Sequence, residues 1–169
     1  KSTLKPGNAP QARIVYDKFH IIGHLGKAID LVRKSEYKRV AGDDRRYIKG
    51  KKYTLLARWS NLNKDGKEAL RELFRVNRRL NTAYLLKESF GQLWSYVHPG
   101  WARRFFDRWR ESLCGQGLPS FEKFAKLVEA HWDGIEAYCH ADNKVALGFV
   151  EGLNNRIRTI QRQAYGFHD

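Results

Sequence analysis

The chain has 169 residues, with 32 Lys and Arg against 18 Asp and Glu, a net charge of +14, and 13% aromatic residues that include five Trp. That is enough chain for one domain with a core, and it is too aromatic for a disordered polybasic tail. No stretch approaches the roughly 18 uncharged apolar residues of a membrane span, and no apolar signal segment stands in Lys1 to Gln11.

Two cysteines, Cys114 and Cys139, make no disulfide framework, so a reduced cytoplasmic setting is expected. Cys139-His140 lacks the paired spacings of a zinc site. The chain contains no Met, even at position 1, which suggests an excised piece of a longer protein.

Lys1 to Pro10 reads as a loop. The β-branched run Arg13-Ile14-Val15-Tyr16-Asp17 predicts one short strand. From Phe19 the period becomes helical. Ile22, Leu25, Ile29 and Val32 predict a helix to about Val40, with His20, His24, Lys27 and Lys34 on its other faces.

Residues 33 to 58 form a basic block. Arg33, Lys34, Lys38, Arg39, Arg45, Arg46, Lys49, Lys51, Lys52 and Arg58 face only Glu36, Asp43 and Asp44, which is half of the chain's net excess in 26 residues. Tyr47, Tyr53 and Trp59 interleave with these cations.

After Asn63, a capping candidate, a stripe runs through Leu70, Leu73, Phe74, Asn77 and Leu80. It continues through Tyr84, Leu85, Phe90, Leu93, Trp94 and Val97, with a bend expected near Leu80. Pro99 reads as a first-turn proline, and behind it Trp101, Phe105, Trp109 and Leu113 read as one core stripe. Gly115-Gln116-Gly117 ends that helix. Pro119-Ser120 starts the next, with Phe121, Phe124, Val128, Trp132, Ile135 and Cys139 as its stripe. A last helix is expected from about Asn143, with Val150, Leu153, Ile157 and Ile160 apolar and Glu151, Asn155, Arg158 and Arg162 as a polar row.

A basic, aromatic-interleaved block suits a phosphate backbone, because Lys and Arg release condensed counterions and aromatic rings stack on exposed bases. A solvated helix face is the plain alternative. Trp59, in a polar context, is the aromatic best placed for exposure. Asp17 and His20, at the end of a strand, are a usual place for catalytic or metal-binding groups, although Asp17 can equally cap the helix that follows. Glu151 is flanked by Gly148 and Gly152, which permit close approach. A carboxylate beside DNA-facing cations is repelled by phosphate unless a divalent metal bridges them.

Val15-Tyr16-Asp17-Lys18-Phe19-His20-Ile21 and Phe149-Val150-Glu151-Gly152-Leu153-Asn154-Asn155-Arg156-Ile157-Arg158, with Arg162-Gln163-Ala164-Tyr165-Gly166-Phe167, resemble the transposases of the ISL-three family of bacterial insertion sequences. The resemblance spans about Ile14 to Phe167. It implies a ribonuclease-H-like core with a D-D-E triad that binds two Mg²⁺ or Mn²⁺ ions. It also implies a large helical insertion between the last core strand and the Glu-bearing helix.

Glu151 resembles the triad Glu and hence a metal ligand. Asp17 resembles either the second triad Asp or, with His20, an accessory D-x-x-H motif. The family places both catalytic Asp on earlier strands, which favours the accessory role.

The expected fold is therefore mainly α: residues 1–19 a loop and the last core strand, 20–143 an all-helical insertion domain, and 144–169 the Glu-bearing core helix. The expected function is that of a transposase fragment. Its parent cuts and joins DNA at transposon ends in the bacterial nucleoid and is compatible with an oligomer on DNA. The fragment itself is expected to bind DNA while catalytically incomplete and holding no metal tightly. The alternatives are a non-enzymatic helical nucleic-acid-binding module and a helical protein-interaction domain with incidental basicity.

Overall fold

A computed structural model of the chain describes residues 18–139. The strand expected at Arg13 to Asp17 and the helix expected from Asn143 lie outside them. Among the described residues every regular element is a helix: α1 (Lys18–Arg39), α2 (Arg45–Ile48), α3 (Lys52–Leu56), α4 (Lys64–Val76), α5 (Arg78–Phe90), α6 (Pro99–Glu111), α7 (Pro119–Ala130) and α8 (Trp132–Glu136), with single 3₁₀ turns between some of them. The mainly α expectation holds. None of these helices is long and apolar enough to cross a membrane.

The 22-residue α1, about 33 Å long, is the central element. It buries Ile21, Leu25, Ala28, Ile29, Val32 and Glu36 on one face, chiefly against α5 and α7. Its register differs slightly from expectation, since Ile21 is fully buried and Ile22 only partly. The Ser120 hydroxyl, in the first turn of α7, donates to the Ala28 carbonyl at 2.9 Å and fixes where α7 crosses α1.

The core beyond α1 is aromatic. Phe90 meets the rings of Trp109 and Phe124 edge-on at 4.9 Å each, and Phe106 stacks on Trp132 at 5.2 Å. Such pairs add about 0.5–1.5 kcal/mol beyond the area they bury. The Trp109 indole N–H donates to the Leu86 carbonyl at 3.0 Å, so this fully buried ring leaves no orphaned donor.

Sequence signals explain where helices begin and stop. Asn63 caps α4 by accepting from the Gly66 N–H at 2.8 Å. Pro99 and Pro119 open α6 and α7, where a missing N–H costs nothing. Gly42 and Gly50, with φ of 64° and 74°, supply the left-handed backbone that breaks the basic block into the end of α1, α2 and α3.

Three expectations need correction. The break in the 63–97 stripe falls at Asn77, three residues before Leu80, where the backbone turns extended between α4 and α5. The Phe121 to Cys139 stripe is wholly buried but runs through a break at His131, which separates α7 from α8. Trp101 is not core. It is 56% exposed, because the buried row of α6 is Ala102, Phe105, Phe106 and Trp109, one step further round the helix.

Candidate nucleic-acid interface

The structure divides the basic block in two. On α1 three of the block's four cations are tied down. Arg33 Nε and Lys34 Nζ lie 2.8 and 3.1 Å from the Asp30 carboxylate, and Arg39 donates to Glu36 at 2.6 Å.

Glu36 is itself fully buried. It also accepts from Asn77 Nδ2 at 2.9 Å and from Arg79 at 3.2 Å. Burial opposes its ionisation, but the hydrogen bonds from Arg39 and Asn77 and the guanidinium charges outweigh it and hold the carboxyl below its ordinary range. Asn77 in turn caps α5 by accepting from the Leu80 N–H, so Glu36 is a latch between α1 and the α4–α5 corner.

From Arg45 to Arg58 the pattern differs. Arg45, Arg46, Lys49, Lys51, Lys52 and Arg58 form no ion pair among the described residues, and neither does Lys38. Instead the cations lie over rings. Arg45 sits 5.3 Å from the Tyr37 centroid, Arg46 5.0 Å from Tyr47, and Lys52 5.5 Å from Tyr53, a ring that is 77% exposed. Cations without carboxylate partners remain available to phosphate.

The far end of this segment is tied to α5 by Lys87, a residue that sequence reasoning passed over. Its ammonium, buried on α5, donates to the carbonyls of Leu55, Leu56 and Ala57 at 2.9, 3.3 and 2.6 Å, closing the end of α3. Glu88 pairs with Lys87 at 3.0 Å and accepts from the Trp59 N–H at 3.2 Å. Tyr84 adds a third clamp, its hydroxyl donating to the Ala57 carbonyl at 3.1 Å. Burial pushes the Lys87 pKa down, with Glu88 partly restoring it, and burial raises the Tyr84 phenol. The signal was present: Leu80, Tyr84, Lys87 and Phe90 follow helical spacing, so a Lys occupies a core position.

Trp59 is half-buried, packed on the core with Arg71 over its ring at 5.6 Å, and so is less available than expected. Trp101, with Arg104 over its ring at 5.1 Å, is the more exposed indole. His20 lies exposed on the first turn of α1, its Nε2 3.1 Å from that of His24. Burial first, then His20, Lys27 and His131, lower the His24 pKa. Asp17, Glu151, Asn155, Arg158 and Arg162 lie outside the described residues.

Both ends of the described domain meet at Trp94. The Lys18 ammonium lies 5.8 Å from its ring centroid, the Tyr138 ring contacts it edge-on at 5.8 Å, and the Cys139 thiol reaches the neighbouring Leu93 carbonyl at 3.9 Å. Burial raises the Cys139 thiol to about 11, which makes it an inert packing group.

No solved structure matches the chain. Among curated proteins, the transposase for insertion sequence element IS1001 of Bordetella parapertussis is 36% identical over 165 residues, covering 96% of this chain and 40% of that protein. The transposase for insertion sequence element IS1557 of Mycobacterium tuberculosis is 25% identical over 181 residues, again covering 40% of its length. The chain thus spans about two fifths of these relatives. The ISL-three family model, described as a transposase, matches residues 4–169. Since that match runs through both segments that carried the resemblance, the chain belongs to the ISL-three family of transposases.

Proposed function

We propose that the described helices form the DNA-holding insertion of a transposase whose catalytic carboxylates are carried by the segments on either side. The observation that carries this reading is the meeting of Lys18, Tyr138 and Cys139 around Trp94. A domain whose chain arrives and departs at one place can be set into another fold without disrupting it. The unpaired cations of Arg45 to Arg58 supply the phosphate-binding half of the reading. The partners in this reading are transposon-end DNA in the bacterial nucleoid and further copies of the transposase on that DNA.

In this reading Glu151 is the triad carboxylate and metal ligand, and Asn155, Arg158 and Arg162 follow it at helical spacing toward the same phosphates. Asp17 acts with His20 as an accessory pair, or else as a second triad carboxylate. Residues 18–139 contain no group of three His, Cys, Asp or Glu suited to a metal ion, so Mg²⁺ or Mn²⁺ is assigned to Glu151 with carboxylates outside this domain. When bound, such ions supply Lewis-acid assistance to in-line phosphodiester exchange. One carboxylate does not hold Mg²⁺ tightly, so this chain by itself binds DNA without cutting it.

The test is made in the full-length transposase. Glu151→Gln keeps the side chain's shape, removes its charge, and is expected to abolish cleavage and strand transfer while DNA binding persists. Asp17→Asn does less damage if Asp17 is accessory and equal damage if it belongs to the triad. Undiminished cleavage by Glu151→Gln defeats the assignment.

A further inference from the structure

A groove of about 680 Å³ runs beside α1, between it, the residues from Lys52 to Ser60, and the end of α5 with the turn that follows. Its floor is apolar, built from Leu25, Leu56 and Phe90. Two indoles, Trp59 and Trp94, lie in its walls, and Lys27, Lys52 and Arg58 stand exposed around it.

The two lining carboxylates are already neutralised. Asp30 is held by Arg33 and Lys34, and Glu88 by Lys87. Lys27, Lys52 and Arg58 form no ion pair among the described residues, so the groove offers an apolar, aromatic-walled floor inside a positive rim.

We propose that this groove takes unpaired DNA bases, with the adjoining phosphates on Lys27, Lys52 and Arg58. This rests on the DNA-holding reading and specifies it. A paired duplex presents phosphate and groove edges, not ring faces, and has no use for an apolar floor. An unstacked base does, because its face can lie on an indole while its phosphate stays at the charged rim. The polar groups of Ser60, Gln92 and Ser95 line the same groove and suit the hydrogen-bonding edge of a base. The volume lies within the roughly 300–1,000 Å³ of sites for compact ligands, which suits about one or two bases and not a long strand. Lys52, Arg58 and Trp59 also belong to the basic segment, so a strand lying on that segment reaches the groove without leaving it.

Gly23 makes the test clean. It lines the groove, and a Cβ built there would meet no atom within 4 Å. Gly23→Leu therefore adds apolar bulk at the groove starting from open space, and it favours the helix. The complete 169-residue chain is titrated with a blunt duplex and with the same duplex carrying a short unpaired stretch, and thermal unfolding of both proteins verifies folding. Wild type is expected to bind the unpaired probe about tenfold more tightly, within the range that base–indole stacking supplies. Gly23→Leu is expected to erase that preference while leaving blunt-duplex affinity unchanged. Equal wild-type affinity for both probes overturns the groove assignment alone. So does a preference that survives Gly23→Leu, which would leave the groove to another occupant such as an acidic peptide. Absence of binding to either probe overturns the DNA-holding reading as well.

Discussion

Glu36 shows how one carboxylate decides what two cations and an amide do. Its side chain is fully buried, whereas the side chain of Arg39 is 63% exposed and that of Arg79 34% exposed. Removing the acid strands the buried ends of Asn77 and Arg79, whereas removing Arg39 leaves two donors in place. Glu36→Ala is therefore expected to cost about 3 kcal/mol in chemical denaturation, as for a broken buried pair. Arg39→Ala is expected to cost under about 1 kcal/mol. The pH dependence has a definite sign. The carboxyl titrates lower in the folded chain than in the unfolded one, so its contribution is complete above the ordinary carboxylate range. That contribution is lost as pH falls through the depressed folded value. Glu36→Gln is expected to flatten the acid limb of stability against pH. An unchanged acid limb in that variant would show that the latch does not titrate as the geometry requires.

Helix boundaries divide into those that a side chain announces and those that packing conceals. Asn63, Pro99 and Pro119 announce themselves through capping and a missing donor, and all three stand where the sequence put them. The break at Asn77 was expected three residues too late and that at His131 was hidden, because the helices on each side face the same core and the apolar row runs on across the corner. Trp101 was misplaced because a row at i, i+4, i+8 drifts around the helix, and Phe106 lies closer to the centre of the buried face. In the basic block, the charge was legible but its use was not. Asp30 stands three and four residues before Arg33 and Lys34, and Glu36 three before Arg39, which is the spacing that pairs them. At the corner itself, Asn77→Ala removes both a cap and a bond to a buried carboxylate. It is expected to cost about 2–3 kcal/mol, against about 1 kcal/mol for Asn63→Ala, whose cap is exposed. Equal losses in denaturation would show that the Glu36 bond contributes nothing. Likewise Lys87→Met is expected to speed amide exchange across residues 52–59 well before it does so elsewhere, because the α3 carbonyls lose their common donor.

For the molecule as a whole, the proposed DNA-holding role assigns ion pairing and phosphate contact to different members of one basic stretch. The α1 cations Arg33, Lys34 and Arg39 pair with Asp30 and Glu36 on their own helix, whereas Arg45, Arg46, Lys51 and Lys52 have no carboxylate to hold. The dependence of affinity on salt separates the two groups, since its slope counts the phosphates that are neutralised, about 0.9 per contact on a duplex. Replacing Arg45, Arg46, Lys51 and Lys52 by Glu is expected to weaken duplex binding and reduce the slope by up to about 3–4, with the melting temperature nearly unchanged. Replacing Arg33, Lys34 and Arg39 by Gln removes as much as three positive charges from the same stretch. It is expected to leave most of the slope intact while lowering the melting temperature, because the partners left behind include a buried carboxylate. If instead the α1 set flattens the slope as much per charge as the 45–52 set, phosphate contact is spread over the whole block and the ion pairs on α1 open on DNA. The triple and quadruple variants measured in one salt series decide between a rigid division of labour and a surface that rearranges as it binds.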